Sequence, residues 1–176
     1  MTAGTATGAR GLRDVLGRFA TGVTVITTTA VQDAGTRPVG MTVNSFASVS
    51  LDPPLILFCV SRVSRLHSIF ASARTFAVNI LGESQTRLSG QFARPGFDRF
   101  GQARTVRGRS GAPLLDGALA TIECAVEKVI GAGDHDIVLG RVLVAEESGA
   151  GTPLIFYGGA YRRLEVVEAD WWSALT

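Results

Sequence analysis

Lysine is almost missing from this chain: Lys128 is the single one among 17 basic side chains. The others are arginines scattered from Arg10 to Arg163, and with a formal net charge of +2 and a pI near 8.8 they form no dense stripe. Nucleic-acid recognition rests on a concentrated basic patch, so nucleic acid is not expected as a partner. Charged residues of both signs reach only 18%. Cysteine is scarce too. Cys59 and Cys124 each sit inside an apolar, strand-like run, where a free thiol behaves as a small buried hydrophobe. That placement suggests no disulfide framework, and no Cys/His spacing resembles a zinc site, so no metal is expected. No apolar run approaches the about 20 residues that span a bilayer. Residues 1–9 are small and polar and lack the basic start and apolar block of a secretory signal. A cytoplasmic protein without membrane attachment is the expectation. No glycine fingerprint lies between a strand and a helix, which removes support for a doubly wound dinucleotide-binding sheet.

What is present is material for an ample core. The chain has 176 residues, 46% hydrophobic, with a mean hydropathy of +0.27. That fits one domain (residues 10–167) burying roughly 70% of its unfolded surface, between a disordered tail (1–9) and a C-terminal tail (168–176) that carries Trp171 and Trp172. The low charge leaves apolar surface for a ligand or another subunit to cover. Leu12, Val15, Leu16 and Phe19 at helical spacing predict an amphipathic helix over 10–20, ended by Gly22. β-Branched residues predict strands at 23–29 and 39–43, and the Asp52-Pro53-Pro54 turn leads into a continuously apolar strand, 55–60. Ser64 is expected to start a helix running to 73. A strand at 76–81, a helix at 83–92 and a loop at 93–105 follow. Residues 113–118 read as a turn. Two long strands, 120–130 and 136–146, and a final hairpin, 154–157 with 161–167, turning at Gly158-Gly159, complete the chain. Strands adjacent in sequence argue for an antiparallel barrel with helical decoration.

Polar groups gather beside apolar strands in three places. In residues 40–54, Thr42, Asn44, Ser48 and Ser50 give an uncharged face, interrupted at Ser45-Phe46. Such a face suits hydrogen bonding to a flat heteroaromatic ligand, and equally a solvent-facing strand rich in Ser and Thr. In Ser61-Arg62-Val63-Ser64-Arg65, hydroxyls, arginines and the amides of a starting helix make a phosphate site or an ordinary helix cap. The third place is Gly133-Asp134-His135-Asp136 at a strand entry. Histidine exchanges a proton near neutral pH, though a lone turn histidine also serves structure. His67, on the expected helix, reads as structural or as part of a rim.

Read in order, several segments resemble those of the flavin reductase-like, FMN-binding split-barrel proteins. These are Phe19-Ala20-Thr21-Gly22-Val23-Thr24-Val25-Ile26-Thr27-Thr28, residues 40–54, Phe76-Ala77-Val78-Asn79-Ile80-Leu81, Gly133-Asp134-His135 and Pro153-Leu154-Ile155-Phe156-Tyr157-Gly158-Gly159-Ala160-Tyr161. The resemblance spans about residues 10–165 and is nearest to the short-chain NAD(P)H:flavin reductases that serve two-component flavin monooxygenases. It implies a mainly β fold, a six-stranded antiparallel split β-barrel of Greek-key character with a few flanking helices, working as a homodimer.

Residue by residue, the resemblance implies flavin contacts along Gly40, Met41, Thr42, Val43, Asn44, Ser45 and Ser48, with Thr42, Asn44 and Ser45 at the isoalloxazine edge. Cys59, Val60 and Ser61 would border the ribityl chain and phosphate, and Ser64 and Arg65 would hold the phosphate. Gln91 and Phe92 would close over the ring. His135 matches the family's histidine beside the nicotinamide, with Tyr157 and Tyr161 on the same side. Residues 94–100 match only loosely, which leaves the rim and the dinucleotide choice open. The implied reaction is hydride transfer from NADH, or from NADPH in its place, to FMN or FAD. Flavin would act as a diffusible substrate, and reduced flavin would pass to a partner monooxygenase. Three rivals stand beside it: a flavin-binding electron carrier without NADH turnover, a pyridoxamine-phosphate oxidase-like enzyme, and a non-catalytic interaction module. The second of these needs more basic phosphate ligands than the chain offers.

Overall fold

The computed structural model describes residues 8–32, 35–94, 99–148 and 151–165. Helix α1 (Ala9–Leu16) leads through a short strand, β1 (Thr21–Gly22), into β2 (Thr24–Gln32), β3 (Gly35–Val43), β4 (Ala47–Leu51) and β5 (Pro54–Ser61). Helix α2 (His67–Ser72) precedes β6 (Thr75–Ile80), and a 3-10 turn (Glu83–Gln85) opens α3 (Thr86–Ala93). Then come β7 (Thr105–Arg107), β8 (Pro113–Leu115), the long hairpin β9 (Ala120–Ala132) and β10 (His135–Glu147), and the short pair β11 (Ile155–Tyr157) and β12 (Ala160–Arg162). The fold is mainly β. No helix among the described residues is long and apolar enough to cross a membrane.

Seven strands form one antiparallel sheet in the order β3-β2-β6-β9-β10-β5-β4. The six-stranded split barrel implied by the resemblance is corrected in its strand count: seven strands pair, and among the described residues no ladder joins β3 to β4. Chain connectivity nevertheless bends the sheet. Its two edge strands are consecutive in sequence, linked only by Asn44, Ser45 and Phe46. Four Cα steps reach at most about 14 Å, whereas a flat seven-stranded sheet separates its edges by about 29 Å. At this end the sheet must curl until its edges come close.

Burial follows the curl. Ile56, Phe58 and Val60 of β5 point inward, joining Ile26, Val78, Val138 and Cys124 around Phe58, whose ring meets Phe70 and Phe76 edge-on at 5.8 and 5.1 Å. Strand β2 is covered on both faces: Ile26 enters that core, while Val25 joins Leu81, Phe92, Leu115 and Leu154 in a second cluster. Buried polar groups there are paired, as desolvation demands. Asn79 Nδ2 donates to Val25 O at 2.9 Å and Asn79 Oδ1 accepts from Leu115 N–H at 2.7 Å. The Thr27 hydroxyl donates to Pro113 O. These bonds make 113–115 a strand rather than the expected turn. Pro113 is tolerated because β7 and β8 form a two-stranded edge ladder.

Other boundaries also move. The first helix stops at Leu16 instead of 20, since Arg18 and Phe19 amides bond three residues back and tighten the chain. Helix α2 begins at His67, not Ser64, because residues 61–66 are spent on turns: Ser64 N–H bonds to Ser61 O and His67 N–H to Ser64 O. Residues 1–7 of the expected tail 1–9, the expected tail 168–176 with Trp171 and Trp172, the end of the last hairpin (166–167) and residues 95–98 lie outside the described residues, while Ala9 already belongs to α1.

Glu123 on β9 is 3% exposed and accepts the Arg109 and Ser110 amides. Burial pushes its carboxyl up, but the Ser110 hydroxyl and amide, with the amide and charge of Arg109, outweigh it and hold the group below its ordinary value. A carboxylate depressed in the folded state adds stability above its unfolded pKa of about 4.3 and loses it as pH falls through the folded value. Glu123→Gln is expected to lower urea-measured stability at pH 7 by about 1.5–3 kcal/mol. It should also flatten the acid limb below about pH 5; an unaltered limb would assign that limb to other carboxylates.

Candidate functional site

The link that joins the sheet edges also builds the site. Ser45 Oγ accepts the Cys59 amide at 3.0 Å and faces Cys59 O at 3.4 Å, which pins the β3–β4 junction to β5. In the β5–β10 ladder Cys59 stands opposite Ile137, and Ser61 opposite His135. Strand alternation places Cys59, Ser61, His135 and Ile137 on the outer, half-buried face, since Val60 and Asp136 are the buried neighbours. Ser45, Cys59, Ser61 and His135 thus form one contiguous surface drawn from three strand ends.

Beside it lies a groove of about 740 Å³, whose wall includes Arg13, Arg18, Thr21, Asn44, Tyr157 and Arg162. Its geometry depends on a two-residue hairpin turn. Gly158 and Gly159 both adopt positive φ (60° and 79°), a pair that matches strand twist and that side chains disfavour. The turn lets Gly158 N–H donate to Gly17 O at 2.9 Å, docking the end of α1 on the β11–β12 hairpin. Tyr157 hydrogen-bonds the Arg18 guanidinium and raises its pKa. Thr21 Oγ1 is buried with no hydrogen-bond partner, alone in that respect among the described side chains.

Charge is arranged unevenly around the 61–67 turn. Arg62 and His67 both bind Asp136, whose carboxyl they hold below its ordinary value, the His67 bond first and Arg62 next. His135 Nδ1 lies 2.8 Å from Asp134 Oδ1 and depresses that carboxyl likewise. Arg65 is exposed, and among the described residues it has no carboxylate partner. Ser64 Oγ accepts the Leu66 amide at 3.2 Å. The turn therefore offers one committed arginine and one uncommitted.

A match to the family described as "Flavin reductase like domain" covers residues 16–165. This chain belongs to that family. It is 49% identical over 140 residues to a probable flavin reductase of Rhizobium meliloti, covering 80% of this chain and 44% of the relative. It is 48% identical over 153 residues to the reductase component of a flavin-dependent trigonelline monooxygenase of Acinetobacter baylyi, covering 86% and 48%. The chain spans about half the length of these curated relatives. Among solved structures, the NADH:FAD oxidoreductase of Streptomyces globisporus, in complex with NAD and FAD fragments, superposes with a TM-score of 0.84 at 40% identity, covering 91% of this chain and 94% of that one.

Other residues implied by the flavin reductase resemblance lie behind this surface. Thr42 donates to Ser89 O at 2.7 Å, and Ser89 Oγ meets Tyr161 OH at 2.8 Å, so both side chains tie α3 to the sheet. Phe92 is fully buried, edge-on to Phe100 at 5.0 Å, and fills the space where a Cβ on Gly40 would sit 2.7 Å from its ring. Gln91 donates to Arg99 O at 2.7 Å. Met41 and Val43 pack on the inner core with the buried Val60, and Ser48 is exposed on edge strand β4. The groove residues Arg13, Arg18 and Arg162 escape a reading by motif, and Thr21 enters only through the block starting at Phe19. Arg62, His67 and Asp136 each stand in or beside a segment singled out in the sequence, but nothing along the chain pairs them.

Ser45→Ala removes the acceptor of the Cys59 amide. Stability should fall by about 1–3 kcal/mol in chemical denaturation, and Cys59 should react faster with a thiol reagent. Unchanged reactivity would mean that the junction is held to β5 by other contacts.

Proposed function

We propose that this chain is an NAD(P)H:flavin oxidoreductase. It moves a hydride from NADH, or from NADPH in its place, to FMN or FAD and releases reduced flavin to a separate monooxygenase in the cytoplasm. The observation that carries the reading is the groove at the curled end of the sheet, walled by Asn44, Thr21 and arginines. Its volume falls within the range of small-molecule sites, about 300–1,000 Å³. The residues present fit a flavin. Thr21 Oγ1 is a buried hydroxyl still lacking a partner. Arg13, Arg18 and Arg162 against Asp14 alone give the groove a positive balance, suited to a phosphate and to a ring that gains negative charge.

When bound, the flavin supplies the electron-accepting ring chemistry that no side chain provides. The chain's own residues bind and orient. Asn44, with the 44–45 backbone, would donate at the ring's pyrimidine edge, where preorganised dipoles favour developing negative charge. Ser64 and the uncommitted Arg65 would hold the phosphate, with Cys59 and Ser61 along the ribityl chain. His135 would orient the nicotinamide rather than carry a proton, because hydride transfer asks for no strong protein base. A partner oxygenase is supported by the name of the trigonelline monooxygenase reductase component. The single domain from about residue 10 onward is read as a split barrel completed by its short edge link.

The homodimer reading is supported by uncovered apolar surface. Leu12, Val15, Leu16 and Phe19 are 51%, 63%, 62% and 77% exposed along α1 and the turn after it. Val49, Leu143 and Ile130 add to this on the outer sheet. Sedimentation equilibrium should return twice the 18.5 kDa chain mass; a monomer at micromolar concentration would remove the dimer.

The deciding experiment is NADH and NADPH oxidation at 340 nm with FMN, FAD and riboflavin in turn. No oxidation with any flavin would reject the enzyme. His135→Ala should raise KM for NADH by about tenfold or more, a loss of at least about 1.4 kcal/mol of binding, and leave flavin affinity within about twofold. Equal losses for both would reject the nicotinamide assignment.

A further inference from the structure

Three side chains to which the proposed reaction gives no role converge between β5, α2 and β10. Asp136 is 8% exposed and engages both carboxylate oxygens. Oδ1 accepts from Arg62 Nε at 2.8 Å and lies 2.7 Å from Nη2, while Oδ2 lies 2.8 Å from His67 Nε2. Strand β9 leaves the room for this contact. Gly131 stands opposite Asp136 in the ladder, and a Cβ there would fall 2.5 Å from Arg62 Nη2. The backbone repeats the connection, for Arg62 N–H donates to Asp134 O at 3.0 Å, next to His135. A carboxylate at this depth is retained only when it is paired and hydrogen-bonded.

We propose that Asp136 is a positioning residue: through Arg62 and His67 it locks the 61–66 turn to the hairpin carrying His135, so that the flavin-phosphate and nicotinamide subsites keep one relative placement. This rests on the flavin reductase reading above. The lock spans the two halves of the site. On one side it fixes the turn that presents Ser61, Ser64 and Arg65. On the other it fixes the strand entry that presents His135, directly across the ladder from Ser61. It also withholds Arg62 from any phosphate, which leaves that task to Arg65. A carboxylate whose only task was stability would show its loss in unfolding and not in turnover of the folded protein.

The test is Asp136→Asn, which keeps the shape and removes the charge. Near-attack geometry lost by about 1 Å costs up to about 100-fold in rate, so kcat should fall roughly 10- to 100-fold while both KM values move by less than about threefold. Amides of residues 61–66 and 133–135 should exchange with deuterium faster in the flavin-free protein. Arg62→Gln, altering a side chain that is 49% exposed, should reproduce both effects should Asp136→Asn fail to fold, and Arg62→Lys should restore part of the rate. An unchanged kcat overturns the proposal, as does a lower kcat without faster exchange in those two segments. Absence of NADH oxidation by the wild-type protein would instead reject the enzymatic reading, and the exchange contrast alone would then decide whether the lock exists.

Discussion

Three residues, Asn44, Ser45 and Phe46, join the two outermost strands of a seven-stranded sheet, and this short tether governs the architecture. A chain of that length cannot bridge a flat sheet, so the sheet curls, and the curl encloses the Phe58 cluster on its inner face. The same tether brings Ser45 onto Cys59 and so brings the ends of β3, β5 and β10 together. The site is a by-product of closure: functional groups from distant parts of the chain meet where the edges must approach.

Around that end, polar groups divide into two populations. Deep in the fold, Asn79, Thr27 and Glu123 are fully used in holding β2, β6, β8 and the loop before β8 together. Among the described residues, Thr21 Oγ1 in the groove lacks a hydrogen-bond partner, and Arg65 on the 61–66 turn lacks a carboxylate. Buried polar atoms left unpaired are costly, and a site prepared for a polar ligand is where such a cost is tolerated. Asp136 stands between the populations: it is paired like a core group, yet both of its partners belong to the segments that present the site.

Much of the fold was legible along the chain. β-Branching marked β2, a continuous apolar run marked β5, two long strands around Gly131–His135 marked the β9–β10 hairpin, and Gly158-Gly159 announced a tight turn that the positive φ values bear out. The β7–β8 pair was illegible, because residues 113–118 carry turn composition and 113–115 become a strand only when Asn79 and Thr27 bond to them. The start of α2 was misplaced for a related reason. Ser64 has cap chemistry, but tertiary contacts of Arg62 and His67 with Asp136 hold 61–66 as turns. Residues 40–54 were legible as a polar, special stretch, while the direction of each side chain was not: Thr42 turns to Ser89, and Ser45 turns to Cys59.

The sequence by itself determined the family, the mainly β character and the places where hydroxyls, arginines and His135 gather, because composition, periodicity and ordered motifs are properties of the chain alone. Only the tertiary structure decided which of those groups face a groove and which are consumed as internal ties. That division depends on strand pairing across dozens of residues. Whether Arg62 meets a carboxylate, or Phe92 fills the hollow above Gly40, is settled by which neighbour occupies the adjoining space once the sheet has curled.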